Sequence, residues 1–240
     1  MTVHDRRRVD LSRRDTTVRE LMDDPDCDPV RLRRTLERFS LVNRLVSGWD
    51  AAYRRHVRPA LPSSPARVRV LDIGCGGGDV LRRVARLVRS DGHRVEATGI
   101  DPDPRSIAVA RAAGEGDGLR YRLAHSADLV SEDARFDVVI SNHLLHHLDD
   151  AQRDAIFADS TRLARRVVVH SDIERGGLAY AAYAVGITPL APGTFLRTDG
   201  LRSIQRSYTR DELARVVPSD WSVERATFRV LAVHRTPVAP

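Results

Sequence analysis

Val70-Leu71-Asp72-Ile73-Gly74-Cys75-Gly76-Gly77-Gly78-Asp79 is an apolar run that breaks into a glycine cluster and closes on an acid. A strand ending in glycines just before a helix lets the backbone approach a ligand, because no Cβ stands in the way. Gly74 and Gly76 match the first two glycines of a dinucleotide-binding turn, but its third place is taken by Asp79. A carboxylate there opposes a pyrophosphate, which is bound by bare amides at a helix N-terminus. Asp72, inside the strand, adds a second negative group. The turn therefore suits a ligand that presents positive groups and no phosphate.

Outward from this turn, short apolar strands alternate with amphipathic helices. Strands are expected over 67–73, 94–100, 119–123, 136–141 and 166–170, with helices over 80–88, through Ile107 and Ala110, and over 150–163. Strict strand–helix alternation argues for a doubly wound, Rossmann-like α/β fold with a mostly parallel sheet covered on both faces. Residues 221–224 and 227–234 lie too close together for a helix between them, so they close the sheet antiparallel. Upstream, residues 1–15 are charged, have little to bury and are expected to be a disordered leader. Residues 16–62 form an N-terminal helical cap, with Leu32, Leu36, Phe39, Val42, Leu45 and Val46 on one face at three- and four-residue steps. The main domain is placed at 63–240. Within it, residues 173–208 break the alternation with repeated Gly and Pro and are expected to be a lid over the binding site.

Composition excludes several classes. No apolar run approaches the roughly 20 residues that span a bilayer. The charged start has no hydrophobic signal core, so a cytoplasmic location with no membrane insertion is expected. Cys27 and Cys75 do not form a disulfide framework or a zinc-binding set. The net charge of +6 comes entirely from arginine, since the chain has no lysine, and acids interleave with it along most of the length. A nucleic-acid partner is not expected from such an even distribution. The oligomeric state is left open, a homodimer included.

The second strand ends Thr98-Gly99-Ile100-Asp101-Pro102, which places an acid at a strand's carboxyl end at the spacing a βαβ unit needs. Taken together, LDIGCGGGD, GIDPDP and FDVVISNHLLHHLDD resemble the successive motifs of class I S-adenosylmethionine (SAM)-dependent methyltransferases, over about residues 68–163. The resemblance is to bacterial small-molecule enzymes, of the natural-product and quinone-biosynthesis kind. It implies SAM as cofactor, held by Asp72, Gly74, Cys75, Gly76, Asp101, Pro102, Ser126 and Asn142, with Asp101 on the ribose and Pro102 near the adenine. One departure stands out. The family's acid about eleven residues before Phe136-Asp137 is replaced by His125-Ser126, so the usual acidic contact to adenine is absent or displaced to Asp128.

The fourth strand delivers Asn142, His143, His146 and His147 just past its carboxyl end, and the fifth delivers His170, Ser171 and Asp172 to the same edge. A hydroxyl must lose its proton as it attacks a methyl group, which calls for a positioned base. By the resemblance, His146 is the preferred base, His147 its rival, Asp172 the orienting acid and His143 a further candidate. No metal is expected. The expected reaction is O-methylation of a small aromatic or polyketide-like molecule. C-methylation of a quinone-like ring and RNA or protein methylation are the alternatives.

Overall fold

The computed structural model describes residues 9–236. The arginine cluster Arg6-Arg7-Arg8 therefore lies outside the described residues. Seven strands form one sheet: β1 (Arg67–Ile73), β2 (Arg94–Asp101), β3 (Leu119–Leu123), β4 (Phe136–Asn142), β5 (Ala164–Ile173), β6 (Trp221–Ala226) and β7 (Arg229–Arg235). Their spatial order is β3-β2-β1-β4-β5-β7-β6. The first five pair parallel, and β7 pairs antiparallel with both β5 and β6. From β1 the chain first winds toward β3, then returns to β4 on the other side. A doubly wound sheet opens a ligand crevice at such a reversal, above the carboxyl ends of the strands.

Both faces of the sheet are covered. On one, Val68, Val70, Val138, Ile140, Val167 and Val169 meet Trp49, Tyr53, Leu81 and Val84. On the other, Leu71, Val139, Val168 and Ala232 meet Phe157, Leu163, Leu213 and Trp221. The helix α3 after the glycine turn, Asp79–Ser90, buries Val80, Leu81, Val84, Ala85 and Val88 at one-, three- and four-residue steps. Each such Val or Leu contributes roughly 1.5–3 kcal/mol when fully removed from water.

The N-terminal region departs from the expected continuous helix. Helix α1 spans Pro29–Val46, and residues 9–28 form no helix. Its start follows ordinary capping chemistry: the Asp28 carboxylate accepts from the amides of Val30 and Arg31, and Pro29 fills the first turn. A short second helix, α2 (Trp49–Ala52), runs into a π turn over Tyr53–Val57. Residues 9–15, expected to be leader, have defined partners. The Asp15 amide donates to the Gln205 carbonyl, and the Arg14 guanidinium lies 3.6 Å over the Tyr208 ring.

The expected lid is two helices. Helices α4 (Pro104–Gly114), α5 (Ser126–Ser131) and α6 (Asp150–Leu163) complete the alternation, after which α7 (Gly177–Gly186) and α8 (Leu196–Arg206) occupy the insertion and α9 (Arg210–Val216) leads into β6. On α7, Leu178 and Val185 are 74% and 76% exposed. Thr209 and Glu212 form a capping box at the start of α9.

Gly99 in β2 shows how closely the glycine turn lies on the sheet. A Cβ there would stand 2.8 Å from Cys75 Sγ and 2.8 Å from Tyr121 Cδ1. Gly99→Ala is therefore expected to destabilise the fold by about 1–3 kcal/mol through overpacking. Denaturant unfolding measures this, and an unchanged midpoint would refute the tight packing of turn on strand.

Candidate active site

Asp101, at the end of β2, organises the glycine turn. Its Oδ2 accepts from the Gly76 amide at 2.9 Å, and its Oδ1 from the Asp103 amide at 2.9 Å. An ionised carboxylate offers about four acceptor positions, so each oxygen keeps capacity for a hydroxyl donor. Gly74, Gly76 and Gly78 take φ of 68°, 51° and 73°, a region that favours glycine, and a Cβ on Gly76 would meet nothing within 4 Å. Cys75 is buried beside them.

Asp72 has no comparable support. It is 1% exposed, and neither carboxylate oxygen has a hydrogen-bond partner. Burial first, then the charges of Asp79 and Asp101, holds its carboxyl well above the usual range. Asp79 is raised as well, by burial, despite a hydrogen bond from Asn43 of α1 at 3.0 Å. Three acids thus converge under the turn.

At the adenine-side positions the picture is different. Pro102 is exposed on the loop after β2. Ser126 opens α5, and its hydroxyl donates to Asp159 at 2.6 Å. Asp128 caps α5 by accepting from the His125 amide, so it is committed to the helix start.

Across the crevice the histidines separate into distinct environments. After β4 a 3₁₀ turn over Leu145–His147 brings His146 onto Asp172 at the end of β5. The His146 Nδ1–H donates to Asp172 Oδ1 at 2.7 Å, and the His146 amide donates to Oδ2 at 2.9 Å. On the other side of the ring, Nε2 lies 3.3 Å from Glu20 of the N-terminal segment. Burial alone would lower the His146 pKa, but the charge and hydrogen bond of Asp172, with Glu20, raise it to about 9. Glu20 shows the converse: burial works upward, and His147, His146 and Ser203 pull its carboxyl down to about 2.

His147 is partly exposed, with Nε2 3.6 Å from Glu20 and Nδ1 3.4 Å from Asp23. The donor atoms of Glu20, His146 and His147 all lie within 4.8 Å of one another, a spacing that a metal ion could bridge. His143, in a left-handed conformation with φ of 57°, accepts at Nε2 from Arg229 at 3.2 Å. Burial and the Arg229 charge push its pKa down to about 3, so it is neutral with its proton on Nδ1. His170 belongs to the core. It stacks on Trp221 with ring centroids 5.3 Å apart and pairs with the Ser141 hydroxyl.

The structure thus brings His146 and Asp172 together, as expected, and sets His143 apart on Arg229. Four participants were missed in the sequence. Glu20 sits in a polar stretch with no local motif. Arg229 opens an apolar strand. Trp49 donates from Nε1 to Asn142 Oδ1 at 3.0 Å. Arg206 fixes the 3₁₀ turn by donating to the carbonyls of His146 and His147. For Arg206, the Ser-x-x-Arg spacing in 203–206 was the available signal.

Comparison with known proteins defines the class. Residues 70–166 match the family model described as Methyltransferase domain. The chain is 34% identical over 197 residues to the ubiquinone biosynthesis O-methyltransferase of Methylobacterium sp. (strain 4-46), covering 78% of this chain and 72% of that protein. The chain belongs to the class I SAM-dependent methyltransferases, and its cofactor is SAM. A second relative of the same name, from Methylocella silvestris, is 44% identical over 85 residues, which span 35% of this chain and 31% of that protein.

Solved structures agree in fold. The CurJ carbon methyltransferase superposes with a TM-score of 0.60 at 17% identity, covering 88% of this chain and 61% of its own. The plantazolicin methyltransferase BpumL, in complex with a desmethyl analogue and SAH, gives 0.55 at 13% identity over 88% and 90% of the two chains.

The residues present fit this cofactor. A buried, unpartnered carboxylate at Asp72 suits the ammonium group of an amino acid, and the remaining acceptor capacity of Asp101 suits ribose hydroxyls. In the free protein the raised Asp72 carboxyl takes up a proton more readily than an ordinary carboxylate does. An ammonium favours the ionised form, so cofactor binding should release protons and tighten as pH rises through the Asp72 titration. Calorimetry in buffers of different ionisation enthalpy measures the release. Asp72→Asn should abolish it and weaken S-adenosylhomocysteine binding by about 1–3 kcal/mol, and proton-neutral binding by the wild type would contradict the assignment.

Proposed function

We propose that this methyltransferase acts on oxygen of a small aromatic or polyketide-like molecule, with His146 as the base and Asp172 as its orienting partner. The observation that carries this reading is the buried Asp172–His146 hydrogen bond of 2.7 Å at the carboxyl ends of β4 and β5. O-methylation in the curated relatives' names agrees with it.

Bound SAM supplies a methyl carbon made electrophilic by its cationic sulfur. The protein supplies position and proton handling. Asp72 would hold the amino group and Asp101 the ribose, on either side of the sulfonium, which would orient the reacting carbon before the acceptor arrives. Asp172 holds the His146 proton on Nδ1, which leaves Nε2 as the atom that takes a proton from an acceptor hydroxyl. As His146 becomes an imidazolium, the ionised Asp172 stabilises the charge at short range. The proton must then leave His146 before the next turnover.

Glu20 modifies this scheme. It occupies the Nε2 side of the ring, so an acceptor hydroxyl must displace it or share the position. While both carboxylates flank the ring, the neutral form of His146 becomes common only as pH approaches about 9. The methyltransferase rate should therefore rise with pH toward that value rather than level off near the reference pKa of about 6.5.

The test starts from incubation with SAM and a panel of phenols and catechols, reading product mass and the site of methylation. O-methyl ethers are expected, whereas methylation confined to ring carbon or to RNA would overturn the reading. On the phenol that turns over best, His146→Ala should lower kcat by about 10²–10⁴-fold with little change in SAM affinity. Glu20→Gln removes one flanking charge and should shift the midpoint of the pH–rate profile downward. Near-normal rates and a flat profile in His146→Ala would eliminate His146 as base.

A further inference from the structure

Arg229 is 4% exposed at the start of β7, and no carboxylate among the described residues lies within ion-pair distance of it. The other buried arginines all have one. Arg153 pairs with Asp150 and Asp154, Arg175 with Glu212, and Arg206 with Asp23 at 3.9 Å. Asp172, an acid close enough to act on Arg229 electrostatically, is committed to His146.

The guanidinium instead touches neutral groups. Its Nε and Nη2 donate to the Ser171 hydroxyl, Nη2 also to Asn142 Oδ1, and Nη1 to His143 Nε2. Those four bonds leave one N–H on Nη1 without a protein acceptor among the described residues. An unpaired buried cation costs several kcal/mol unless a charge answers it. Burial lowers the Arg229 pKa to about 10, which reflects the same deficit. The deficit is placed at the working edge of the sheet. Asn142 ends β4 and Ser171 lies two residues before the end of β5, and Asn142 and His143, which Arg229 contacts, are both partly exposed.

We propose that Arg229 is a binding site for a carboxylate that enters at the β4–β5 edge, carried either by the methyl acceptor or by the amino-acid tail of the cofactor. A carboxylate fits the planar fork of the guanidinium and supplies the missing charge. If the acceptor carries it, Arg229 selects for aromatic acids over neutral phenols, which deepens the O-methylation reading above and rests on it. If the cofactor carries it, Arg229 complements Asp72, one group on each charge of the methionine moiety.

Calorimetry on the full chain separates the two sources without requiring turnover, so failure here is distinct from failure of O-methylation. The probes are S-adenosylhomocysteine, 5′-methylthioadenosine, which lacks the amino-acid tail, and benzoate or benzamide added to protein saturated with S-adenosylhomocysteine. A cofactor carboxylate at Arg229 predicts that Arg229→Gln weakens S-adenosylhomocysteine by about tenfold or more and leaves 5′-methylthioadenosine unchanged. An acceptor carboxylate predicts unchanged S-adenosylhomocysteine, wild-type preference for benzoate over benzamide, and loss of that preference in Arg229→Gln. Arg229→Lys keeps the charge and should retain part of either effect. The proposal is overturned if S-adenosylhomocysteine affinity is unchanged in Arg229→Gln and the wild type does not discriminate benzoate from benzamide. Should Arg229→Gln not fold, Arg229→Lys takes its place: weaker S-adenosylhomocysteine binding than wild type with 5′-methylthioadenosine unchanged, or a reduced preference for benzoate, supports the proposal, and neither overturns it.

Discussion

The hydrogen bond from His146 to Asp172 joins two strands, β4 and β5, at the point where both leave the sheet. It has this reach because a parallel sheet covered on both faces has room for polar side chains only at its ends. The acids under the glycine turn, the His146–Asp172 pair and Arg229 all lie on that rim. Asp72 and Asp101 stand at the ends of β1 and β2, Asp172 at the end of β5, and Arg229 at the start of the antiparallel β7. The antiparallel reversal matters here. It brings the beginning of one strand beside the end of another, so Arg229 lies opposite Ile173 in the ladder.

The rim divides by charge. Under the glycine turn, three acids crowd together and their carboxyls rise, which prepares that side for a cation. Over β4 and β5, carboxylates alternate with imidazole, so Glu20 and Asp172 stay ionised while His146 holds two protons. The same physical quantity, burial, pushes Asp72 up and is overruled at Glu20. What differs is whether a group of opposite charge is within reach.

Much of this was legible in the chain itself. Short apolar runs and the glycine turn define β1, β2 and β4 because burial on both faces leaves little sequence freedom there. The pairing of His146 with Asp172 followed from the family resemblance, which set the two after neighbouring strands. Residues 17–28 were misread as helical because their apolar spacing is weak evidence against remote competitors for the backbone. The amides of Leu21 and Met22 go to the Asp199 carboxylate, and the carbonyl of Arg19 accepts from Arg202. Those partners lie some 180 residues away, beyond any local pattern. The Asp28-Pro29 step was a readable start signal for α1. Glu20 carried no comparable mark, since a buried glutamate and a surface one look alike until the fold places its partner.

The attachment of residues 9–28 has an evolutionary consequence. Arg175 holds the carbonyls of Leu11 and Ser12, Arg206 that of Val18, and Arg105 those of Met22, Asp24 and Pro25. The body thus recognises the segment mainly through its peptide groups, which every sequence has. Substitutions along the segment leave most of these bonds in place, so it is free to drift in sequence while keeping its path. Arg14, Glu20, Asp23 and Cys27 are among the exceptions, because their side chains make contacts. The segment's path is thus fixed more by its peptide groups than by most of its side chains.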